Sequence, residues 1–353
     1  MKRKALVMSV GFISVFCFVF LFQKNPINPQ KFDPPKPIPF SGALQTNEEL
    51  KKSLKIAEGR LNGPESIAFR NGFLYTGTAD GWIVRVSPDG NVEKYAKTQG
   101  RVLGLQFAPT GSLFACDAYR GLLEITPNRQ VIVLSNSANK QTFKFTEDLD
   151  ISKQGIVYFT DASDTYNEKD YLYDLLEARP HGRLLAYNPT TRKTRVLQDK
   201  LYFANGVALS QDESFLLVSE TYRYRILRYW LQGEKKGQSE IFLENLPGFP
   251  DNITSNAKGN FYVALYTLRN PKLDFLHRHP KISSQMAKIP RFLWPKPQAY
   301  GLVLRIDEAG KIEKSFHDTD GSNMTLLTSA IEIGNFLYLG TMYGSQIGKF
   351  PLQ

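Results

Sequence analysis

The chain has 353 residues, 42% hydrophobic and 12% aromatic, enough apolar material for a sizeable core and too much for a disordered protein. Its net charge of +10 is scattered, without a long basic run or a zinc or helix-turn-helix spacing, which argues against nucleic acid and suits a place beside anionic lipid. Two cysteines (Cys17, Cys116) and four histidines (His181, His277, His279, His317) exclude a disulfide framework and a structural zinc site, and with HExxH, GxSxG and Walker-type loops absent, any catalysis rests on carboxylates, amides or a hard metal.

The chain opens on a basic flank, Lys2, Arg3 and Lys4, followed by an apolar run from Ala5 to Phe22. Eighteen residues at helical rise span roughly 27 Å, just enough for the hydrocarbon core. The run ends in Phe-Leu-Phe with no Ala-x-Ala. Residues 1–24 therefore read as a transmembrane signal-anchor, with a cleaved signal peptide as the alternative. The flank would stay in the cytoplasm, giving a single-pass type II protein with its bulk on the lumenal, periplasmic or extracellular side. Residues 25–50 carry six prolines from Pro26 to Pro39 and read as a stiff linker lifting a domain off the bilayer.

Residues 51–353 repeat one pattern: a polar pair, apolar-x-apolar, a short Gly or Asn turn, then apolar-aromatic-apolar. The copies are "GPESIAFRNGFLYTG" from Gly63, "VLGLQFAPTGSLFAC" from Val102, "TEDLDISKQGIVYFT" from Thr146, "ANGVALSQDESFLLVS" from Ala204, "PDNITSNAKGNFYVAL" from Pro250 and "TSAIEIGNFLYLG" from Thr328. Each reads as two strands about a tight turn, with further strand candidates such as "WIVRVSP" and "RILRYWL" between copies. Repeats of about 40 residues or more, each with about four strands and no helical period, predict an all-β fold, a six-bladed β-propeller. A β-sandwich is the rival, but it predicts no recurring motif. "SLKIAEGRL", before the first copy, can supply the strand that the last copy lacks. Long insertions follow the third copy ("SDTYNEKDYLYDLLEARPHG") and the fifth ("LRNPKLDFLHRHPKISSQMAKIPRFLWPKPQ").

In a propeller, equivalent positions of all blades converge on one axis. The first member of the polar pair is, in turn, Glu65, Leu103, Glu147, Asn205, Asp251 and Ser329. Any one of the polar ones is an ordinary turn residue, because Asp and Asn bond their own backbone. Three carboxylates and an amide at one register point instead to a shared site. Unpaired, such a cluster repels itself and holds protons. A hard divalent cation relieves the repulsion, and an oxygen-only donor set fits Ca2+ rather than zinc.

The segments "GPESIAF", "GRLLAYNPTT", "LYFANGVALSQDESFLLVSET" and "NLPGFPDNI" resemble the strictosidine synthase-like family, and within it the branch of adipocyte plasma membrane-associated proteins. The resemblance covers roughly residues 54–353. It implies a six-bladed propeller with calcium in the central channel, as in the paraoxonases and gluconolactonases of the wider superfamily. The implied calcium ligands are Glu65, Glu147, Asn205 and Asp251, with Glu147 standing where the family usually has Asn; the adjacent Asp148 and Asn252 are further candidates. Two departures limit the carry-over. Thr328-Ser329 replaces the glutamate of plant strictosidine synthase, which disfavours its condensation of amine and aldehyde. Leu103 replaces the histidine of paraoxonases.

The resulting expectation is a calcium-dependent hydrolase of esters or lactones, arylesterase-like, with a lipophilic small-molecule substrate. Asp251 would hold the metal and serve as base or nucleophile, with Glu147 or Asp148 as the alternative base. His181 is a candidate for the channel mouth, although a His beside Pro is also an ordinary loop residue. Asn252, Ser329 and Leu103 are candidates for the pocket. Tyr166, Tyr171, Tyr173, Leu175 and Leu176 either roof that pocket or form an ordinary lid helix. The fifth-blade insertion sets Phe275, Phe292, Leu293 and Trp294 among basic residues, which suits membrane lipid. The alternative function is a non-catalytic membrane-tethered binding propeller with structural calcium. Of the glycosylation sequons at Asn252 and Asn323, the first is expected to be buried. Oligomeric state has no signal in the sequence.

Overall fold

The computed structural model describes residues 24–352. The expected transmembrane run thus lies outside the described residues, among which no helix is long and apolar enough to cross a membrane. The repeats fold as expected, into six four-stranded antiparallel sheets. In the first blade, Ile67–Arg70 turns into Phe73–Gly77 through Asn71 and Gly72, both at positive φ, the requirement of a two-residue hairpin turn. The strands Leu113–Asp117, Val157–Asp161 and Phe215–Glu220 are buried along their whole length, because each blade stacks its two faces against neighbours. The sixth blade is closed by Leu54–Ile56, which precedes the first blade in sequence and pairs with Ile347–Pro351, Leu54 opposite Lys349.

The polar pairs differ from a simple turn at the strand entrance. In the third, fourth and fifth blades they lie inside the inner strands Thr146–Ile151, Ala204–Leu209 and Gly248–Ser255. The ladder there breaks between Thr146 and Leu149, between Ala204 and Val207, and between Pro250 and Ile253. The second and sixth blades break at the same place, between Val102 and Gly104 and between Leu327 and Ser329. A bulge frees the backbone from the ladder and re-aims a side chain. Hydroxyls of the preceding blade take up the freed carbonyls: Thr160 donates to Asn205 O at 2.6 Å and Thr221 to Pro250 O at 2.7 Å. Gly206 makes the close approach possible, since a Cβ there would lie 2.3 Å from Ile253 N.

The insertions form helices over one face: α1 (Tyr171–Glu177), α2 (Pro271–Arg278) and α3 (Pro280–Met286). Asn270 caps α2 by accepting from Lys272 N, with Pro271 at its first position. The Pro-rich segment does not stand off as a spacer. Asn28 N donates to Glu177 Oε1 at 2.7 Å and Gln30 N to Glu177 O at 2.8 Å, and Phe32 N donates to His277 O at 3.0 Å. Phe32 also lies under Arg223, 3.9 Å from ring centre to guanidinium carbon, and Ile27 is buried. The prolines stiffen the segment while its apolar residues find a surface.

Candidate metal centre

Glu65, Glu147 and Asp251 come from the first, third and fifth blades, and one oxygen of each lies within 4.8 Å of the others. All three are buried, as is Asn205. Glu147 Oε2, Asp251 Oδ1 and Asn205 Oδ1 have no hydrogen-bond partner. Buried polar atoms are normally satisfied, so three orphaned oxygens on the same cavity wall describe a ligand-binding cradle. Burial, then the Glu65 charge, push Asp251 well above the usual carboxylate range, although a hydrogen bond with Asn205 opposes this. Glu147 is pushed up likewise by burial and by Glu65, Asp251 and Asp148. Glu65 is raised by burial, with Arg101 pulling the other way.

Arg101 is the residue that the repeat register hid. It lies two positions before Leu103, and its Nη2 donates to Glu65 Oε2 at 2.9 Å with both side chains buried. The centre thus combines three acids with one internal cation. Thr328 and Ser329 Oγ atoms donate to Glu65 O at 3.0 and 2.5 Å, which fixes the backbone that carries the first acid.

The acids and Asn205 form the floor of a cavity of about 510 Å³. Its roof is apolar: Tyr171, Leu175 and Leu176 of α1, Leu273 and Leu276 of α2, and Trp294. Deep, mostly apolar cavities with a few converging polar groups are the usual form of small-molecule sites.

Several expected residues stand elsewhere. Asp148 is turned into the joint between blades, where Oδ2 accepts from Val207 N at 3.1 Å; burial pushes its pKa to about 8, but its carboxylate is outside the cluster. The bulge between Thr146 and Leu149 re-aims these side chains, and here Glu147 takes the axis. Leu103 belongs to the hydrophobic core, and Ser329 holds Glu65 rather than lining the cavity. Asn252 is buried as expected of its sequon, but is likewise off the cavity wall. His181 is not at the cavity mouth. Its Nε2 meets Glu177 at 2.9 Å and its Nδ1 lies 3.6 Å from Asp164. Burial alone would lower its pKa, yet the two acids raise it to about 9. Tyr166 donates to Glu177 at 2.8 Å, and Tyr173 packs edge-on against Trp294, so these two support the roof from outside the cavity wall.

The comparisons with known proteins agree with this architecture. A strictosidine synthase model matches residues 147–234, and a strictosidine synthase-like N-terminal model matches residues 42–86. The adipocyte plasma membrane-associated protein of Rattus norvegicus is 37% identical over 372 residues, covering 99% of both chains. The strictosidine synthase-like 6 protein of Arabidopsis thaliana is 37% identical over 312 residues, covering 84% of this chain and 81% of its own. The chain belongs to the strictosidine synthase-like family. Among solved structures, a gluconolactonase of Xanthomonas campestris superposes with a TM-score of 0.63 at 16% identity, covering 94% of this chain and 99% of its own. The calcium-binding protein regucalcin of Agrobacterium tumefaciens gives 0.59 at 12% identity, covering 84% and 93%. These two share the propeller with this strictosidine synthase-like chain; what each binds or cleaves belongs to it.

Proposed function

We propose that this chain is a membrane-anchored, calcium-dependent hydrolase of esters or lactones with a lipophilic substrate. The observation that carries the reading is the set of unpartnered, buried oxygens of Glu147, Asp251 and Asn205, with Glu65 beside them, at the floor of an apolar cavity. Oxygen-only donors in a loose cluster fit Ca2+, which takes six to eight oxygens at about 2.3–2.6 Å. When bound there, the cation would supply Lewis-acid polarisation of a carbonyl oxygen. Asp251 and Asn205 hold the floor, while Glu147, which a bound cation would keep ionised against the burial and neighbouring acids that otherwise favour its protonated form, would accept a proton from a water. The roof excludes bulk water and binds the apolar part of the substrate.

Anchoring is supported by the apolar run from Ala5 to Phe22 and by relatives named for the plasma membrane. The segment after that run is tied to the roof helices through Asn28 and Phe32, on the cavity side of the propeller. On the same insertion Phe292 and Leu293 are 75% and 58% exposed, which suits contact with lipid. Trp294, by contrast, is buried. The type II orientation would put the propeller on the non-cytoplasmic side.

Purified protein with calcium should cleave phenyl acetate or a simple lactone above the buffer rate. EGTA or Asp251→Asn should abolish this while the fold persists. If no such cleavage occurs, the enzyme reading fails. The second reading, a binding propeller with structural calcium, draws on Leu103, which puts core where a histidine base would stand, and on the absence of histidine from the cavity wall among the described residues.

A further inference from the structure

Arg269 lies on the wall of the same cavity, at the end of the strand Asn260–Leu268. Its side chain is only 5% exposed. Nη2 pairs with Asp274 Oδ2 at 3.2 Å, and the guanidinium rests on the Tyr224 ring at 4.2 Å. Nε and Nη1 have no partner. Leaving N–H donors of a buried cation unmade is costly, and an orphaned donor on a cavity wall is a place where a ligand acceptor is missing. Arg291 and Lys296 also line this cavity, but Arg291 is engaged by Asp170 at 2.6 Å. Around the apolar chamber the polar groups are therefore segregated: acids on the floor, and cations, with Arg269 the most buried of them, among the wall residues supplied by the fifth-blade insertion.

We infer that Arg269 is the headgroup subsite of this cavity, and that the ligand is an anionic amphiphile, an apolar chain bearing a carboxylate or a phosphate. The inference rests on the cavity being the substrate site, and it narrows the substrate to an ester or lactone that carries such an acid. Guanidinium matches the planar or tetrahedral oxyanion by charge-assisted hydrogen bonds. The aliphatic and aromatic roof takes the chain, and an uncharged analogue leaves the Arg269 donors unmet.

The test is isothermal titration of the full chain with decanoate, decyl phosphate and decan-1-ol in EGTA, so that no metal contributes. Either anion should bind at least about tenfold more tightly than the alcohol, and the tighter of the two names the headgroup. Arg269→Met/Asp274→Asn removes both charges together and should reduce the preference to within about twofold, while Arg269→Lys should keep part of it. Equal binding of anion and alcohol by the parent protein overturns the inference without any variant. So does a preference that survives in the double variant. Calcium-dependent cleavage of neutral phenyl acetate is measured separately, so the headgroup subsite and the hydrolase reading can fail independently.

Discussion

Asp251→Asn should stabilise the metal-free protein, and calcium should erode that gain. Two ionised oxygens within 4.8 Å of each other repel by roughly 3.5 kcal/mol or more at an effective dielectric constant of about 20. Arg101, 2.9 Å from Glu65, offsets one charge of three. The metal-free chain therefore favours protons on Asp251 and Glu147, both held well above the usual carboxylate range by burial and by each other's neighbours. A carboxyl whose folded pKa is raised stabilises the fold below its unfolded value and loses that contribution as pH rises through the folded value. Asparagine keeps the shape of the protonated acid and has no proton to lose. In EGTA at about pH 8, the variant should exceed the parent by about 1–3 kcal/mol, the mutational range for a polar group buried without compensation. Calcium erodes that lead by about 1.3 kcal/mol or more, because the two proteins gain unequally. The parent gains about 2.7 kcal/mol at a hundredfold excess over Kd, while the variant, having lost an anionic ligand, should show a calcium midpoint raised at least about tenfold and a gain of at most about 1.4 kcal/mol. Thermal melts by circular dichroism across a calcium titration read both effects. A variant less stable than the parent in EGTA, with an unchanged calcium response, would refute the metal centre and return Asp251 to the role of a bulge residue.

Arg101→Met removes the internal cation. It should cost about 3–5 kcal/mol in EGTA, as breaking a buried pair does, yet tighten calcium binding, and calorimetry showing weaker binding would count against this charge balance. Asp148→Ala should cost about 1–3 kcal/mol by leaving Val207 N–H unpaired while the calcium midpoint stays put; a shift like that of Asp251→Asn would place Asp148 among the ligands. His181→Ala tests the brace outside the cavity. With a folded pKa of about 9, protonated His181 contributes its full share below about pH 6.5, roughly 2–3 kcal/mol, and loses it as pH rises through about 9. The melting difference between parent and variant should accordingly close with rising pH, and a difference that widens contradicts the pairing with Glu177 and Asp164.

Much of this architecture is written locally. Six copies of one strand–turn–strand pattern set the number of blades, because each copy needs a neighbour on either side to bury its faces. "SLKIAEGRL" could be assigned to the closing blade because the last copy is one strand short. The convergence of Glu65, Glu147 and Asp251 followed from their shared register, since equivalent positions of a closed ring must face one axis. What local pattern could not decide is which member of each polar pair faces that axis. Strand side chains alternate with period two, so a one-residue slip exchanges the faces, and the bulge that sets the choice is an irregularity of pairing between strands. Hence Glu147 reaches the centre and Asp148 the joint between blades.

The sequence by itself determined the propeller, its closure and the ring of acids, because these depend on a repeated local pattern. Only the tertiary structure decided the partners that cross between elements. Arg101 meets Glu65 from another blade, 36 residues away. The Pro-rich segment finds its surface on helices almost 150 residues on, through Asn28 and Glu177. His181 is claimed by Glu177 and Asp164 rather than by the cavity, and Arg269 is left with donors to spare. Each of these depends on where a long polar side chain ends, and that is set by the space and charge left by distant segments, which no local spacing encodes.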